Sequence, residues 1–179
     1  MKRTELLAPA GDYASLIAAF NAGADAVYLA GKQFGARAYA GNFEEDELVQ
    51  ALDYAHLNGK KIYLTLNTLI KESEFSFVVE YLKPFYNNGL DGIIIQDLGL
   101  IPLLKTEFPH LELHASTQMT VNNYRSAKWL KEQGICRIVP SRELSLSELQ
   151  EIKEKADIEV EAFIHGAMCI SYSGRCLLS

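Results

Sequence analysis

The stretch from Phe163 to Ser179 holds the residues of this sequence that are best suited to chemistry. It contains two of the chain's three cysteines, Cys169 and Cys176, and it also contains His165. Seven positions along a straight helix correspond to a rise of roughly 10 Å, so both thiols can bind one metal centre only if the chain turns between them. The dipeptide Ser173-Gly174 predicts that turn.

Three interpretations of these cysteines are open from the residues alone. A free cysteine is often a small core residue. His165 can activate Cys169 as a nucleophile. Two thiolates can also ligate a soft metal centre, as in iron–sulfur clusters. We interpret the third cysteine, Cys136, as a packing residue because it lies just before a predicted strand.

Composition narrows the class of protein. A chain of 179 residues is long enough for one domain with a sizeable core. Its net charge of −6 disfavours a general nucleic-acid binder but leaves room for a local basic site. No apolar run is long enough to span a bilayer, and Leu6-Leu7 is too short for the core of a signal peptide. We therefore expect a cytoplasmic protein with reduced thiols and no membrane contact.

Short apolar runs alternate with stretches of helical period along the whole chain. The predicted strands are Leu6–Ala8, Ala26–Ala30, Ile62–Leu66, Gly92–Gln96, Leu111–Ser116, Arg137–Pro140 and Val160–His165. The predicted helices are Tyr13–Asn21, Glu44–Leu57, Glu74–Tyr86, Leu98–Glu107, Asn122–Lys131 and Ser145–Lys155. This alternation predicts a parallel sheet with right-handed crossovers.

The side-chain alternation within the strands favours a barrel over a doubly wound sheet. Central strands of a doubly wound sheet are apolar on both faces, whereas Ile62–Leu66 and Val160–His165 alternate apolar and polar residues, as in a barrel. Seven strands predict an α/β fold of the incomplete TIM-like (β/α) barrel class, truncated before its last unit. We expect one domain over residues 1–179, forming the N-terminal part of a longer protein. Its open barrel edge can bind a second copy or another subunit.

The carboxyl ends of the strands carry a set of polar side chains. Active sites of (β/α) barrels lie at these ends, and the candidates there are Asn67, Ser116, Gln118, Arg142 and His165. Residues predicted to face inward are also polar, namely Tyr63, Thr65, His114 and Glu161. Strand ends are commonly polar because loops begin there, but the inward-facing residues predict a polar pocket.

Five segments, in order along the chain, closely resemble motifs of the collagenase-like peptidase family U32. They are Glu5–Gly11, Gly23–Tyr28, Ser116–Gln118, Ser141–Ser145 and Glu161–Ser179. The resemblance covers only the N-terminal barrel portion of such proteins. It implies either a collagenase-like peptidase or an oxygen-independent hydroxylase of a tRNA uridine, an rRNA cytidine or a ubiquinone precursor.

The resemblance also implies cofactors and ligands. Several members carry a 4Fe–4S cluster on four cysteines, and Cys169 and Cys176 match the first two, the others following Ser179. Prephenate is the implied oxygen donor. The chain has no HExxH or GxSxG motif, so we favour an iron–sulfur, prephenate-dependent RNA hydroxylase that contacts tRNA or rRNA through residues after Ser179. A peptidase using Cys169 and His165 and a non-catalytic partner subunit are the alternatives.

Each candidate residue then has an expected role. We expect His165, Arg142 and Glu161 to be catalytic, and Cys169 and Cys176 to bind the metal centre. Substrate contacts are expected from Arg37, Asn67, Ser116, Gln118 and Arg142. The planar fork of Arg142 matches a carboxylate and suits a dicarboxylate such as prephenate, with Arg37 as a second positive group. The alternative for Arg142 is a structural ion pair with Glu143 or Glu161.

Overall fold

The computed structural model describes residues 3–36, 42–166 and 169–176, in which strands and helices alternate as predicted. The strands are β1 (Leu7–Pro9), β2 (Ala26–Leu29), β3 (Lys61–Leu66), β4 (Gly92–Ile95), β5 (Glu112–Ala115), β6 (Arg137–Ile138) and β7 (Glu159–Val160). The helices are α1 (Tyr13–Asn21), α2 (Glu45–Leu57), α3 (Phe75–Asn87), α4 (Leu100–Glu107), α5 (Tyr124–Gln133) and α6 (Leu146–Ala156). Two 3₁₀ turns span Glu72–Glu74 and Thr117–Met119.

The order of the strands settles the class of sheet. The seven strands form one sheet in the order β1 to β7. Neighbouring strands are parallel, with Ala8 opposite Val27 and Ala115 opposite Ile138. A doubly wound sheet reverses its order at a switch point, whereas sequential order is typical of a (β/α) barrel. The predicted incomplete TIM-like barrel class, with seven parallel strands and surrounding helices, is confirmed.

Local capping signals explain why the helices begin and end where they do. The carboxylate of Asp12 accepts a hydrogen bond from the Ser15 N–H at 2.7 Å, and Ser145 and Glu148 form a capping box. The glycines that follow α1, α2, α3 and α5 all have positive φ, as glycines after a helix commonly do. Among the described residues, no helix combines the length and apolarity needed to cross a bilayer.

The chain divides into two compact units, Met1–Ile93 and Ile94–Ser179. The first unit buries Leu16 of α1, Leu52 of α2 and Leu64 of β3 completely. The second buries Leu104 of α4 and Ala115 of β5 in the same way. Complete burial of one leucine side chain contributes roughly 1.5–3 kcal/mol relative to exposure, so each unit has its own apolar core. The single domain over residues 1–179 stays a prediction.

The predicted extent of the last strand is wrong. β7 ends at Val160 instead of His165, and the Glu161 N–H still donates to the Ile138 carbonyl at 2.9 Å. β6, its neighbour, has only two strand residues, so the hydrogen-bonded ladder stops there. Phe163 and Ile164 are consequently 54% and 87% exposed and do not pack beneath helices.

Candidate active site

Two turns at the carboxyl ends of β5 and β6 form the frame of the site in the second unit. After β5, the buried Ser116 caps the 3₁₀ turn Thr117–Met119, its hydroxyl accepting from the Gln118 N–H at 3.1 Å. The backbone N–H of Ser116 donates to the Ile95 carbonyl at 2.8 Å. After β6, the chain runs through Ser141, Arg142 and Glu143 before α6 begins. The predicted strand-end location of Ser116, Gln118 and Arg142 is therefore confirmed.

The segment that carries the two cysteines, residues 169–176, contains the predicted turn. The Arg175 N–H donates to the Tyr172 carbonyl at 3.0 Å, which closes a four-residue turn. Gly174 occupies the third position with φ of +73°, a conformation that type II turns require and that favours glycine. A Cβ atom at Gly174 would lie 2.2 Å from Thr120 Oγ1 and 2.7 Å from the Gln118 carbonyl oxygen. The turn is therefore packed closely against the residues that follow β5.

Ser173 connects this segment to the turns that follow β5 and β6, and it is only 2% exposed. Its N–H and its hydroxyl contact Glu143 Oε1 at 3.0 and 3.3 Å. Its hydroxyl oxygen accepts from the backbone N–H of Arg142 at 3.1 Å, and its carbonyl accepts from Thr120 Oγ1 at 3.1 Å. Every polar group of this buried serine has a partner, which is the condition for burying it at low cost.

The guanidinium of Arg142 is directed at the same segment. Nη1 donates to the Cys169 carbonyl at 3.0 Å, and Nη2 donates to the Ser171 carbonyl at 2.8 Å. Nε donates to the Ser173 hydroxyl at 3.3 Å. Arg142 thus contacts three residues of the cysteine segment, and three of the five N–H groups of its guanidinium are used.

Glu143, the neighbour of Arg142, accepts hydrogen bonds from the same serine, Ser173. Loss of some hydration opposes ionisation of this exposed residue, but the hydrogen bonds from Ser173 and the charge of Arg142 outweigh that effect and lower the pKa of the carboxyl. Glu143 is therefore an anion at neutral pH, which strengthens the hydrogen bonds that it accepts. Arg142 and Glu143 therefore both contact the hydroxyl of Ser173, each at 3.3 Å.

Strands β5, β6 and β7 carry polar side chains that lie close to charged neighbours, whereas the predicted polar pocket stays a prediction. Arg137, which is nearly buried, lies 3.0 Å from a carboxylate oxygen of Glu159 and 3.9 Å from one of Glu161. His114 is fully buried, with Nε2 3.4 Å from Glu112 Oε2. Glu161, a predicted catalytic residue, therefore lies beside Arg137, and its proposed ion pair with Arg142 is replaced by this one.

Cys136 lies at the amino end of β6, and the residue as a whole is exposed, which contradicts its interpretation as a packing residue, although the thiol itself is partly covered. Burial, with a smaller contribution from Glu112, raises the pKa of its thiol to about 11. The thiol donates to the Leu113 carbonyl at 3.4 Å, so it is a neutral donor at physiological pH. The side-chain donors of Glu112 and His114 lie within 4.8 Å of it, but a protonated thiol is a poor metal ligand.

The remaining candidates lie as follows. Asn67 immediately follows β3 in the first unit, and its side-chain oxygen accepts from the Ala36 N–H at 3.0 Å. In the same unit the Tyr63 hydroxyl donates to Glu5 at 3.1 Å. Arg37 lies outside the described residues. His165 is exposed, in the bend after β7. The catalytic, substrate-binding and metal-binding roles of these residues stay predictions.

The cysteine segment fits the beginning of a thiolate ligand set. Cys169 is exposed, Cys176 is half-buried, and no described cysteine forms a disulfide. Both flank one turn whose backbone is fixed by Arg142 and Ser173. Ser173 and Thr120 were not among the residues that the sequence assigned to the site, and the only signal for Ser173 was the turn dipeptide between the cysteines. Glu143 was expected only as an alternative ion-pair partner of Arg142.

Known proteins similar to this chain identify its family. Residues 11–179 match the profile described as peptidase family U32. The chain is 43% identical over 178 residues to tRNA hydroxylation protein P1 of Bacillus subtilis, covering 99% of this chain and 42% of that protein. It is 41% identical over 177 residues to the 23S rRNA 5-hydroxycytidine synthase of Escherichia coli, covering 99% of this chain and 26% of that protein. The chain thus spans less than half the length of these relatives.

A solved structure supports the fold. The structure described as the U32 peptidase Mk0906 superimposes with a TM-score of 0.73 at 18% sequence identity, covering 89% of this chain and 68% of that one. At this level of identity the likeness establishes the barrel fold alone.

Proposed function

The chain belongs to peptidase family U32, and from that membership we propose that it is the barrel part of an enzyme that hydroxylates a base in tRNA or rRNA. The names of the two relatives, which describe tRNA hydroxylation and rRNA hydroxycytidine synthesis, support this choice of reaction. The observation that carries it here is the cysteine segment. Two accessible thiols flank one turn that Arg142 fixes at the strand ends, where barrel enzymes place their active sites.

We assign Cys169 and Cys176 to a 4Fe–4S cluster, with two further cysteine ligands that the resemblance places after Ser179. Thiolates are the ligands that iron–sulfur clusters take, and two thiols flanking one fixed turn suit that chemistry. When bound, the cluster would supply electron transfer, which suits a hydroxylation without molecular oxygen because that reaction oxidises the base. Prephenate is the proposed oxygen donor.

Other residues of the chain would prepare the substrate. His165 is exposed in the bend before the cysteine segment and can exchange a proton with solvent or substrate. Glu161 lies beside Arg137, and its carboxylate is the proposed acceptor of a proton from a bound group. With a net charge of −6, this part is a poor general binder of RNA, so we place most RNA contacts in the remainder of the protein, and the reaction in the cytoplasm.

A collagenase-like peptidase is the second candidate, since Cys169 and His165 are both exposed. Such a peptidase needs the imidazole within hydrogen-bond reach of the thiol. It would lose its activity on gelatin after Cys169→Ser but would be indifferent to Cys176→Ser. A cluster enzyme needs both cysteines.

The experiment that tests the proposal is genetic. A strain lacking the gene is complemented with the full-length wild type, Cys169→Ser, Cys176→Ser or Cys136→Ser, and its RNA nucleosides are analysed by mass spectrometry. We expect hydroxylated nucleosides with the wild type and the Cys136→Ser control, and none with the other two variants. Equal hydroxylation by all four proteins, or an RNA unchanged by deletion of the gene, would refute the proposal.

A further inference from the structure

We propose that Arg142, Glu143 and Ser173 form a latch that fixes the cysteine segment at the strand ends, and that Arg142 is a positioning residue for Cys169 and Cys176. The sequence favoured Arg142 as an anchor for an anionic ligand. Its contacts instead point to the protein's own main chain. The inference deepens the proposed function and rests on it in one respect, the role of the two thiols as metal ligands.

The geometry of Arg142 is the first argument. An arginine that binds a carboxylate usually presents two parallel N–H groups to it. Here the two outer nitrogens are used on successive carbonyls of the segment, those of Cys169 and Ser171, at 3.0 and 2.8 Å. Lysine cannot reproduce this, because a single ammonium cannot span two carbonyls and the Ser173 hydroxyl in the same plane.

The burial of Ser173 is the second argument. A serine on a surface loop ordinarily binds water, but this one is 2% exposed and hydrogen-bonded at its N–H, its hydroxyl and its carbonyl. Its partners come from two separate turns, Arg142 and Glu143 after β6 and Thr120 after β5. The segment is therefore attached to both turns through one residue, three positions before Cys176.

The consequence for the thiols follows from their places in the segment. Cys169 has its own carbonyl held by Arg142, and Cys176 follows the turn that Gly174 closes. The side chains of both residues remain accessible while the backbone between them is fixed. A metal site gains affinity when its ligands are held in place before binding, because less conformational entropy is lost when the metal binds.

The experiment uses the full-length protein, purified without oxygen, as wild type, Arg142→Lys, Ser173→Ala and Arg125→Lys. Arg125 is the matched control, an exposed arginine of α5 whose guanidinium lies over the ring of Tyr124. Hydrogen exchange is measured on peptides covering residues 169–176 after the metal has been removed with a chelator. Iron and sulfide per chain, and the rate of iron loss to a chelator, are measured on the untreated protein.

We expect Arg142→Lys and Ser173→Ala to speed exchange across residues 169–176 at least about tenfold, because each removes more than one hydrogen bond of the latch. Both variants should also lose iron faster than the wild type, whereas Arg125→Lys should match the wild type in both measurements. Ser173→Ala changes only one small side chain, so it keeps the test decisive if Arg142→Lys fails to fold. Unchanged exchange in Ser173→Ala would overturn the latch.

The two proposals fail in distinguishable ways. The cluster would be refuted, and the latch supported, if the wild type holds no iron while Arg142→Lys and Ser173→Ala still speed hydrogen exchange across residues 169–176. A wild-type protein whose iron is lost at the same rate in every variant would overturn the positioning role of Arg142. Weaker prephenate binding by Arg142→Lys, with unchanged exchange and iron, would make Arg142 a substrate anchor and also overturn the latch.

Discussion

Replacing Gly174 by alanine is expected to release the cysteine segment without unfolding the rest of the chain. Gly174 has φ of +73°, a conformation that costs a residue with a Cβ atom about 1–2 kcal/mol. The added Cβ would lie 2.2 Å from Thr120 Oγ1 and 2.7 Å from the Gln118 carbonyl oxygen, so the turn must move away from both.

The movement should also break the hydrogen bond from Thr120 Oγ1 to the Ser173 carbonyl, now 3.1 Å long. A hydrogen bond of this kind contributes about 0.5–1.5 kcal/mol. Together with the backbone strain, the cost is roughly 1.5–3.5 kcal/mol, which corresponds to a roughly 10- to 400-fold larger opening constant for the segment.

Hydrogen exchange of the Ser173 amide measures this opening constant, because that N–H is bonded to Glu143. Gly23→Ala is the control for backbone strain. Gly23 also has positive φ, +101°, but nothing lies within 4 Å of its added Cβ. We expect Gly23→Ala to leave exchange at Ser173 unchanged. An unchanged rate in Gly174→Ala itself would show that the turn is not held in this packing, and the reasoning would be wrong.

Three further predictions concern the same unit. The thiol of Cys136, with its pKa raised from 9.0 to about 11, should react with iodoacetamide at pH 8 roughly 100-fold more slowly than an unhindered peptide thiol; equal rates would contradict the raised pKa. Arg137→Met should lower the free energy of unfolding, measured by denaturant titration, by about 2 kcal/mol. This is less than the loss expected for a wholly buried ion pair, because Glu159 is half-exposed. An unchanged free energy of unfolding would show that the ion pairs of Arg137 contribute nothing. The pKa of Glu143 is lowered, so its carboxylate stabilises the segment fully at pH values above its ordinary pKa of 4.5. Protection of the Ser173 amide from exchange should be lost as the pH falls through the lowered pKa. Glu143→Gln should abolish this pH dependence.

The helices and the strand order could be predicted because their signals are local. Asp12 and Ser145 cap helices by contacts within three residues, and such spacing is visible in the sequence. The sheet order followed from the alternation of strands and helices, which leaves few topologies. The length of β7 could not be predicted in this way. Its alternating pattern continues to His165, but a strand needs a hydrogen-bonded neighbour, and that depends on how far β6 extends.

The candidate site was predicted in its location but not in its contacts. The planar guanidinium of Arg142 predicts hydrogen-bond acceptors that lie in its plane. A carboxylate and a pair of main-chain carbonyls meet that requirement equally well. The carbonyls that it contacts lie 27 and 29 residues further along the chain, so only the fold brings them there. The role of Ser173 could not be predicted for the same reason, since it comes from burial and from three partner residues rather than from the residue type.

The most direct test of the account is an oxygen-free hydroxylation assay. The full-length protein, loaded with iron and sulfide and reduced, is incubated under nitrogen with its RNA and with prephenate labelled with heavy oxygen. We expect a hydroxylated nucleoside that carries the label, formed by the wild type and by Cys136→Ser but not by Cys169→Ser. Absence of any hydroxylated nucleoside in the iron-loaded wild type, with gelatin cleaved instead by a Cys169-dependent activity, would contradict it.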